Sequence, residues 1–372
     1  MKLAWQNIIH DRARFVVTLL GVCFAVCLMI FQGSLLAGFL RAASRLVDAS
    51  NFDIWIVPKG VRAFELGTTM DGRMKELAAG VPGVAAIGNV CMGFAVYRAP
   101  NGSHQSVAIV GADADLGSRY PVPSPALFPQ DATPDAVLFD QSDRNLLGVS
   151  ALPTEAEING HRALIDRQIE GYSGFLGVPF LFTSYANAAH YLGFRPGEAM
   201  YVVVRVGDGY SVAGVQKALQ ERFPRVDVLT RQQFAHQARV YWAMKTGAGG
   251  AILTAAVLGF LIGLVVVSQT IYASTMENLE EYATLKALGA RKLFVARVVL
   301  AQALICGVIG CVLGLLVVFP LIGEAKSLIA WIQTPWWLPS AMVIPSLAMC
   351  ALASIASVRT ALTVEPGRVF RA

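Results

Sequence analysis

The chain of 372 residues is 55% hydrophobic and only 15% charged, with a net charge of +5 and a mean hydropathy of +0.55. A soluble domain carries about 25% charged residues, so this chain has too little charge to coat itself in water, and disorder is excluded because disordered chains are polar. The surplus cations are diffuse, with no basic stripe interleaved with aromatics, which excludes a nucleic-acid reader and leaves an integral membrane protein.

Crossing a hydrocarbon core about 30 Å thick takes about 20 apolar residues of helix. The first uncharged stretch of that length is 15–40, between Arg14 and Arg41. It is too long for the apolar region of a signal peptide, and no small-residue cleavage site follows it, so it reads as a retained span. Within it Cys23 and Cys27 lie one turn apart and read as packing residues, since a metal site needs further ligands nearby.

Residues 41–231 are domain-sized and read as a mixed α+β domain. Strands are predicted over 52–57 and 84–96, over 106–111 after the turn Pro100-Asn101-Gly102, and over 136–139 and 200–206. Helices are predicted over 72–79 and 212–222. The acidic pairs Asp113/Asp115 and Glu155/Glu157 read as solvated loop carboxylates rather than a catalytic pair.

Over 232–245, Phe234, Ala238, Tyr241 and Trp242 recur at helical spacing, and the pattern runs into a second uncharged stretch, 246–276. A continuous helix would stand roughly 20 Å above the membrane and act as a stalk or lever; the alternative is a short amphipathic helix lying in the interface. Gly247, Gly249 and Gly250 weaken helix propensity there and offer a hinge. The pairs Gly259/Gly263 and Gly310/Gly314 are GxxxG motifs, which let helices approach closely and give weak support for an oligomer.

The segment 276–297 carries acidic residues in its first turns, where they complement the positive end of a helix, and Gly289 at the place of a C-terminal cap. Leu279, Ala283 and Leu285 or Leu288 form an apolar ridge against Glu277, Glu280 and Glu281. A helix of this kind either seats in a groove of a soluble partner or rests on the membrane surface. A third span is predicted over 298–323 and a fourth over 338–359, closed by Arg359; the short loop 324–337 between them holds Trp331, Pro335, Trp336 and Trp337, an aromatic belt. Lys and Arg concentrate before the first span (Lys2, Arg12, Arg14), in the 277–297 loop (Lys286, Arg291, Lys292, Arg297) and in the tail 360–372 with Arg359, whereas the 324–337 loop holds only Lys326. Both termini and the 277–297 loop are therefore expected in the cytoplasm and 41–245 outside. The expected fold class is an α-helical membrane protein with four transmembrane helices and a large α+β extracytoplasmic domain inserted between the first and second.

No GxxxxGK[ST], HExxH or GxSxG motif occurs, so the chain carries no P-loop of its own. The five histidines (His10, His104, His161, His190, His236) show no ligand spacing, and Cys91 alone among six cysteines lies in a polar region, which excludes a disulfide scaffold. No catalytic, cofactor-binding or metal-ligating residue is expected.

Glu-Tyr-Ala-Thr-Leu-Lys-Ala-Leu-Gly-Ala-Arg at 281–291 resembles the signature of FtsX-like ABC-transporter permeases of the MacB/LolC/LolE type (type VII). Arg14-Phe15 with Thr18-Leu19-Leu20-Gly21, Val81-Pro82-Gly83-Val84, Val110-Gly111-Ala112-Asp113 and Glu365-Pro366-Gly367-Arg368-Val369-Phe370 resemble further family segments in the same order, so the likeness covers the whole chain. Leu3-Ala4-Trp5 and the terminal Pro-x-x-Val-Phe look most like the DevC group of exporter subunits. The resemblance implies a permease that works as a dimer, here a homodimer, with two separate cytoplasmic ATPase subunits that hold the ATP and Mg. It implies that the loop helix docks on the ATPase through Glu277, Glu280, Glu281, Leu285 and Gly289, and that 1–14 is an amphipathic elbow helix with Leu3, Trp5, Ile8 and Ile9 toward the membrane. It also implies mechanotransmission: ATP-driven closure moves the stalk and outer domain and exports a lipid, glycolipid or other amphiphile, with a periplasmic membrane-fusion adaptor and an outer-membrane duct. Alternatives of the same architecture are a transmembrane regulator of a cell-wall hydrolase, or a haem or peptide efflux permease using Met29, Met244 or His236. A receptor or membrane enzyme lies outside the family, and no catalytic constellation supports it.

Overall fold

The computed structural model describes residues 12–113, 135–175, 177–288 and 290–363. Of the predicted elbow 1–14, residues 1–11 lie outside the described residues and 12–14 open the first long helix, Arg12–Ala42; Asp115, Gly289 and the 365–370 motif also lie outside. The chain divides into two compact units, one formed by Phe39–Gly249 with Ile329–Trp331, the other by the segments up to Gly38, Gly250–Leu328 and from Ile332 onward.

The first unit is an α+β domain. Strand β1 (Ile54–Pro58) is followed by β2 (Met70–Asp71), helix α3 (Met74–Ala79), β3 (Val84–Arg98), β4 (His104–Ala112), β5 (Ala136–Asp140), β6 (Thr154–Ile158), β7 (His161–Ile169), β8 (Phe180–Ser184), α4 (Tyr185–Leu192), β9 (Glu198–Ala199), β10 (Tyr201–Val206), α5 (Val212–Arg222), β11 (Val226–Thr230) and α6 (Arg231–Met244). Its start is marked by the short helix α2 (Arg45–Asp48), which follows the long helix α1 (Arg12–Ala42). Nine strands pair in the order β11-β1-β10-β3-β4-β8-β5-β7-β6. The end strand β6 pairs back on β3 through Tyr97↔Ile158 and Arg98↔Glu157. Strands β3, β4, β8, β5, β7 and β6 thus form a closed ring of pairings, which removes the free edges an open sheet exposes. The 15-residue β3 serves both parts: its first half pairs with β10 and its second with β6.

Side chains alternate across β1 and β10 because successive residues point to opposite faces. Ile54, Ile56, Val202 and Val204 enter one core with Ala78, Val215 and Leu219 from α3 and α5. Trp55, Val57, Tyr201 and Val203 enter the other with Phe64 and Phe234. Burial on both faces explains why these strands read as nearly continuous apolar runs. Helix α4 lies close on β4: a Cβ at Gly111 would stand 3.0 Å from the Ser184 carbonyl oxygen and against the Ala188 side chain.

Strands β6, β7, β8 and β11 are not among those expected from the sequence. The β6–β7 hairpin carries its own signal, Asn159-Gly160, with φ of 48° and 80°; both values are positive, as a tight two-residue hairpin turn requires. Charged and polar residues in β6 and β7 obscure the apolar alternation that marks the other strands.

The second unit contains α7 (Gly247–Glu277), α8 (Leu279–Ala287), α9 (Lys292–Leu328), α10 (Trp337–Thr363) and most of α1. Among the described residues four helices, Phe15–Ala42, Gly247–Glu277, Lys292–Leu328 and Trp337–Thr363, are long and apolar enough to cross a membrane. The third extends beyond the expected 298–323 at both ends. Both GxxxG motifs face α1 of the same chain. A Cβ at Gly310 would stand 2.6 Å from Val22 Cβ, at Gly314 2.8 Å from Val26 Cγ1, and at Gly259 3.4 Å from Leu28 Cβ, while one at Gly263 would run into the Ala25 side chain. Small residues let backbones approach where lipid offers no hydrophobic drive between helices, and here that approach is made within one chain. Cys27 Sγ lies 3.3 Å from the Gly314 carbonyl oxygen, in line with the packing role expected for it.

One expectation is corrected. The lever is not a continuous helix: α6 ends at Met244 and α7 begins at Gly247. Thr246 Oγ1 donates to the Trp242 carbonyl at 2.6 Å, and a Cβ at Gly249 would meet the Ala243 carbonyl and stand 2.6 Å from its Cα. The chain turns too tightly at Gly249 for a side chain, so the glycines permit a break as well as lowering helix propensity.

Candidate functional site

The loop between the second and third spans folds as the nine-residue helix α8. Asn278, between α7 and α8, donates through Nδ2 to the Ser274 carbonyl at 2.8 Å and so marks the end of α7. The inner face of α8 is set by Tyr282 and Ala283, each 1% exposed. Tyr282 Oη donates to Gln302 Oε1 on α9 at 3.3 Å. Lys286 Nζ donates to the Leu362 carbonyl, in the last turn of α10, at 2.7 Å. A cation at the carbonyl end of a helix meets both unpaired oxygens and the negative end of the helix dipole. Burial, then the neighbouring charge of Lys292, lowers the Lys286 ammonium from its ordinary range. One short helix is thereby tied to two spans.

Of the predicted coupling residues, Glu277 closes α7 and is exposed, Leu285 is half-buried on α8, and positions 280 and 281 open α8. Gly289 lies outside the described residues. The predicted apolar ridge is partly reordered: Leu279 is half-buried, Ala283 is buried, and Leu288 is 80% exposed just past the helix end. The anchor that the ridge lacked is Tyr282, whose phenol reads as neither apolar nor charged in a periodicity count. Thr284, Ala287 and Leu288 make up the outward side.

The predicted stalk residues belong to the α+β unit. Helix α6 opens on a capping box, in which Thr230 accepts from the Gln233 backbone and the Gln233 side chain accepts from Thr230 N–H; this reciprocal bonding satisfies two orphan donors of the first turn. Phe234 and Ala238 are fully buried, with the Phe234 ring 5.6 Å from Trp55 and 6.0 Å from Tyr201. Tyr241 and Trp242 are half-buried. Arg239 reaches Asp48 Oδ2 and Ser44 Oγ, both at 2.8 Å, tying α6 to α2.

Trp242 sits edge-on to Phe39 at 6.2 Å and to Phe175 at 5.1 Å, and Phe39 packs on Trp331 at 6.0 Å. The last turn of α1 and the last turn of α6 therefore share one aromatic cluster. Trp331 belongs to this cluster rather than to a surface belt, whereas Trp336 is 90% exposed. Trp242 Nε1 donates to Glu65 Oε2 at 3.2 Å. Glu65 is only 7% exposed, and burial pushes its carboxyl up to about 7, against the lowering effect of the hydrogen bonds it accepts. Neither Glu65 nor this cluster was visible in the sequence, where Phe64-Glu65-Leu66 is an acid between two apolar residues and Phe39 and Phe175 are far apart.

The described members of the acidic pairs are held in ion pairs, and Asp115 lies outside the described residues. Glu155 pairs with Arg162, Glu157 with Arg98, and Asp113 with Lys75. Met29 is buried in the membrane unit, while His236 and Met244 are exposed on α6. Among the described residues no group of three or more His, Cys, Asp or Glu is arranged to hold a metal ion.

Comparison with known proteins accounts for both units. Residues 15–222 match the model of the MacB-like periplasmic core domain, and residues 253–366 match the FtsX-like permease C-terminal model. Two uncharacterized ABC transporter permeases of Mycobacterium tuberculosis, from strains CDC 1551 / Oshkosh and ATCC 25618 / H37Rv, are each 23% identical over 368 residues, covering 96% of this chain and 96% of theirs. Among solved structures, the periplasmic region of MacB from Actinobacillus actinomycetemcomitans aligns with a TM-score of 0.38 at 10% identity, covering 50% of this chain and 92% of that one. The extracellular domain of the noncanonic ABC-type transporter YknZ from Gram-positive bacteria aligns with a TM-score of 0.33 at 13% identity, covering 48% and 98%. With four spans, an α+β domain after the first, and both family models matched in chain order, the chain belongs to the FtsX/MacB-type permeases, the inner-membrane subunits of ABC transporters.

Proposed function

We propose that the chain is the permease of a mechanotransmitting exporter in which α8 receives the movement of a separate ATPase. Family membership implies an ATPase partner and a dimer. In this reading the dimer is a homodimer, the two ATPase subunits hold ATP and Mg, and both chain ends lie in the cytoplasm with α8. The observation that carries the proposal is the double tie of α8, through Tyr282 to α9 and through Lys286 to α10. A push on its outward side, Thr284, Ala287 and Leu288, is passed to two spans rather than absorbed by a loop, with Glu277, Glu280, Glu281 and Leu285 as the residues the coupling would use.

The cargo is a lipid, glycolipid or other amphiphile, handed to a periplasmic adaptor and an outer-membrane duct as in the DevC group that the chain ends resemble. Uncharged spans support a route that bypasses the membrane core, because a polar conduit carries ionisable residues.

The test is affinity purification of the full chain in digitonin and in nanodiscs, with bound proteins identified by mass spectrometry. Wild type is expected to retain an ATPase, and a Glu280→Lys/Leu288→Asp variant with an unchanged melting temperature is expected to lose it. Absence of any ATPase from wild type in both media overturns the proposal. Recovery of a cell-wall hydrolase in place of an adaptor overturns the export half of it.

A further inference from the structure

The outward face of α6 forms a groove that the coupling reading does not use. The buried side of the helix is Phe234, Ala235 and Ala238. Opposite it run two rows at i,i+4 spacing, Gln233–Gln237–Tyr241–Lys245 and His236–Val240–Met244, which are neighbours on a helix surface. Arg62, from the loop after β1, joins His236, Gln237, Val240, Tyr241 and Lys245 around an open cavity of about 640 Å³. Cavities of this size, roughly 300–1,000 Å³, are those that hold small ligands.

The chemistry of the groove is one-sided. Its basic residues are Arg62, Lys245 and His236, joined by the Tyr241 phenol, with no carboxylate among the lining residues. All three side chains are exposed, and none makes an ion pair or hydrogen bond with another described residue. Gln237 is committed to the fold, donating to the Val61 carbonyl at 2.6 Å. The wall between the cations is apolar: Val240 is 43% exposed, and Met244, one turn further along, is 74% exposed. A free inorganic anion would leave that wall in water. A second copy docked face to face on a two-fold axis would set the same cations against each other. An anionic headgroup with the start of an acyl chain satisfies both the charges and the wall. Lys245 stands two residues before Gly247, where the apolar span begins, a backbone reach of about 7 Å.

We propose that this groove binds the anionic headgroup of a phospholipid of the surrounding bilayer, with the phosphate held by Arg62, His236 and Lys245 and the adjoining carbons laid along Val240 and Tyr241. The site anchors the outer domain to lipid, and it stands whether or not α8 docks on an ATPase.

The test uses the full chain in nanodiscs of equal parts phosphatidylglycerol and phosphatidylcholine, each lipid in turn carrying a photoactivatable diazirine, with labelled peptides mapped by mass spectrometry. Wild type is expected to be labelled on α6 by phosphatidylglycerol in clear excess over phosphatidylcholine. Each Lys or Arg near an anionic surface contributes about fivefold in binding, so Arg62→Gln/Lys245→Gln should cut that labelling by about tenfold or more. Lys217→Gln/Arg222→Gln on α5, which removes the same charge elsewhere in the unit, should leave it unchanged, and all variants should melt with wild type. Equal labelling by the two lipids, or labelling unmoved by the groove variant, overturns the proposal. Loss of labelling on adding inorganic phosphate identifies a free-anion site, and cross-links between two copies through α6 identify a chain interface; either result overturns it too.

Discussion

Glycine does different work in the two units. In the membrane unit Gly259, Gly263, Gly310 and Gly314 are helical and face α1, which at Gly263, Gly310 and Gly314 comes too close for a side chain. In the α+β unit Gly60, Gly102, Gly160 and Gly209 take φ between 80° and 88° in turns, with open space where a Cβ would stand or, at other turns, neighbours close by. The solvent explains the difference. In water, burial of apolar surface drives strands and helices together, and glycine is free to reverse the chain at these turns, although Gly111 also admits a close helix. Between helices in lipid there is no such drive, and close backbone approach has to supply the attraction.

That contrast can be broken by mutation, with hydrogen exchange measured segment by segment in the full chain. Phe234→Ala opens a hole between Trp55 and Tyr201 and is expected to cost about 3–5 kcal/mol, seen as faster exchange in β1 and β10 with α1 and α9 unaffected. Uniform acceleration through the spans would show that the units unfold as one. Gly310→Leu should give the reverse pattern: overpacking against Val22 costs about 1–3 kcal/mol, read as faster exchange in α1 and α9 and a lower yield of monodisperse protein.

The buried Glu65 adds a pH dependence that the uncharged spans lack. Its carboxyl titrates near 7 in the fold against 4.5 for the ordinary group. Between those values the unfolded chain has released the proton that the folded chain retains, so stability falls as pH rises through that window and levels off above it. Glu65→Gln keeps an oxygen for Trp242 Nε1 and removes the titration. It is expected to stabilise the Phe64–Trp242 region by on the order of 1–3 kcal/mol above pH 7 and to flatten the local pH profile, both measured by exchange at several pH values. An unchanged slope would rule Glu65 out as the source. Smallest is Gly160→Ala: forcing a side chain to φ 80° should cost about 1 kcal/mol, confined to exchange in the β6–β7 hairpin.

Much of this protein was legible from local sequence. A run of about 20 uncharged residues can satisfy its backbone in lipid only as a helix, so four spans follow from hydropathy alone, as does a domain between the first two. The 281–291 motif located α8 because a short helix is built from neighbours in the chain. What the tertiary structure alone decided depends on residues far apart: the closure of β6 on β3 through Tyr97 and Ile158, the choice of α1 as the surface for both glycine pairs, and the break between α6 and α7. The burial of Glu65 against a tryptophan 177 residues away belongs with them. Hydropathy is a property of one segment, whereas register, close approach and the burial of a single acid are properties of pairs, and in this chain those pairs are set by the packing.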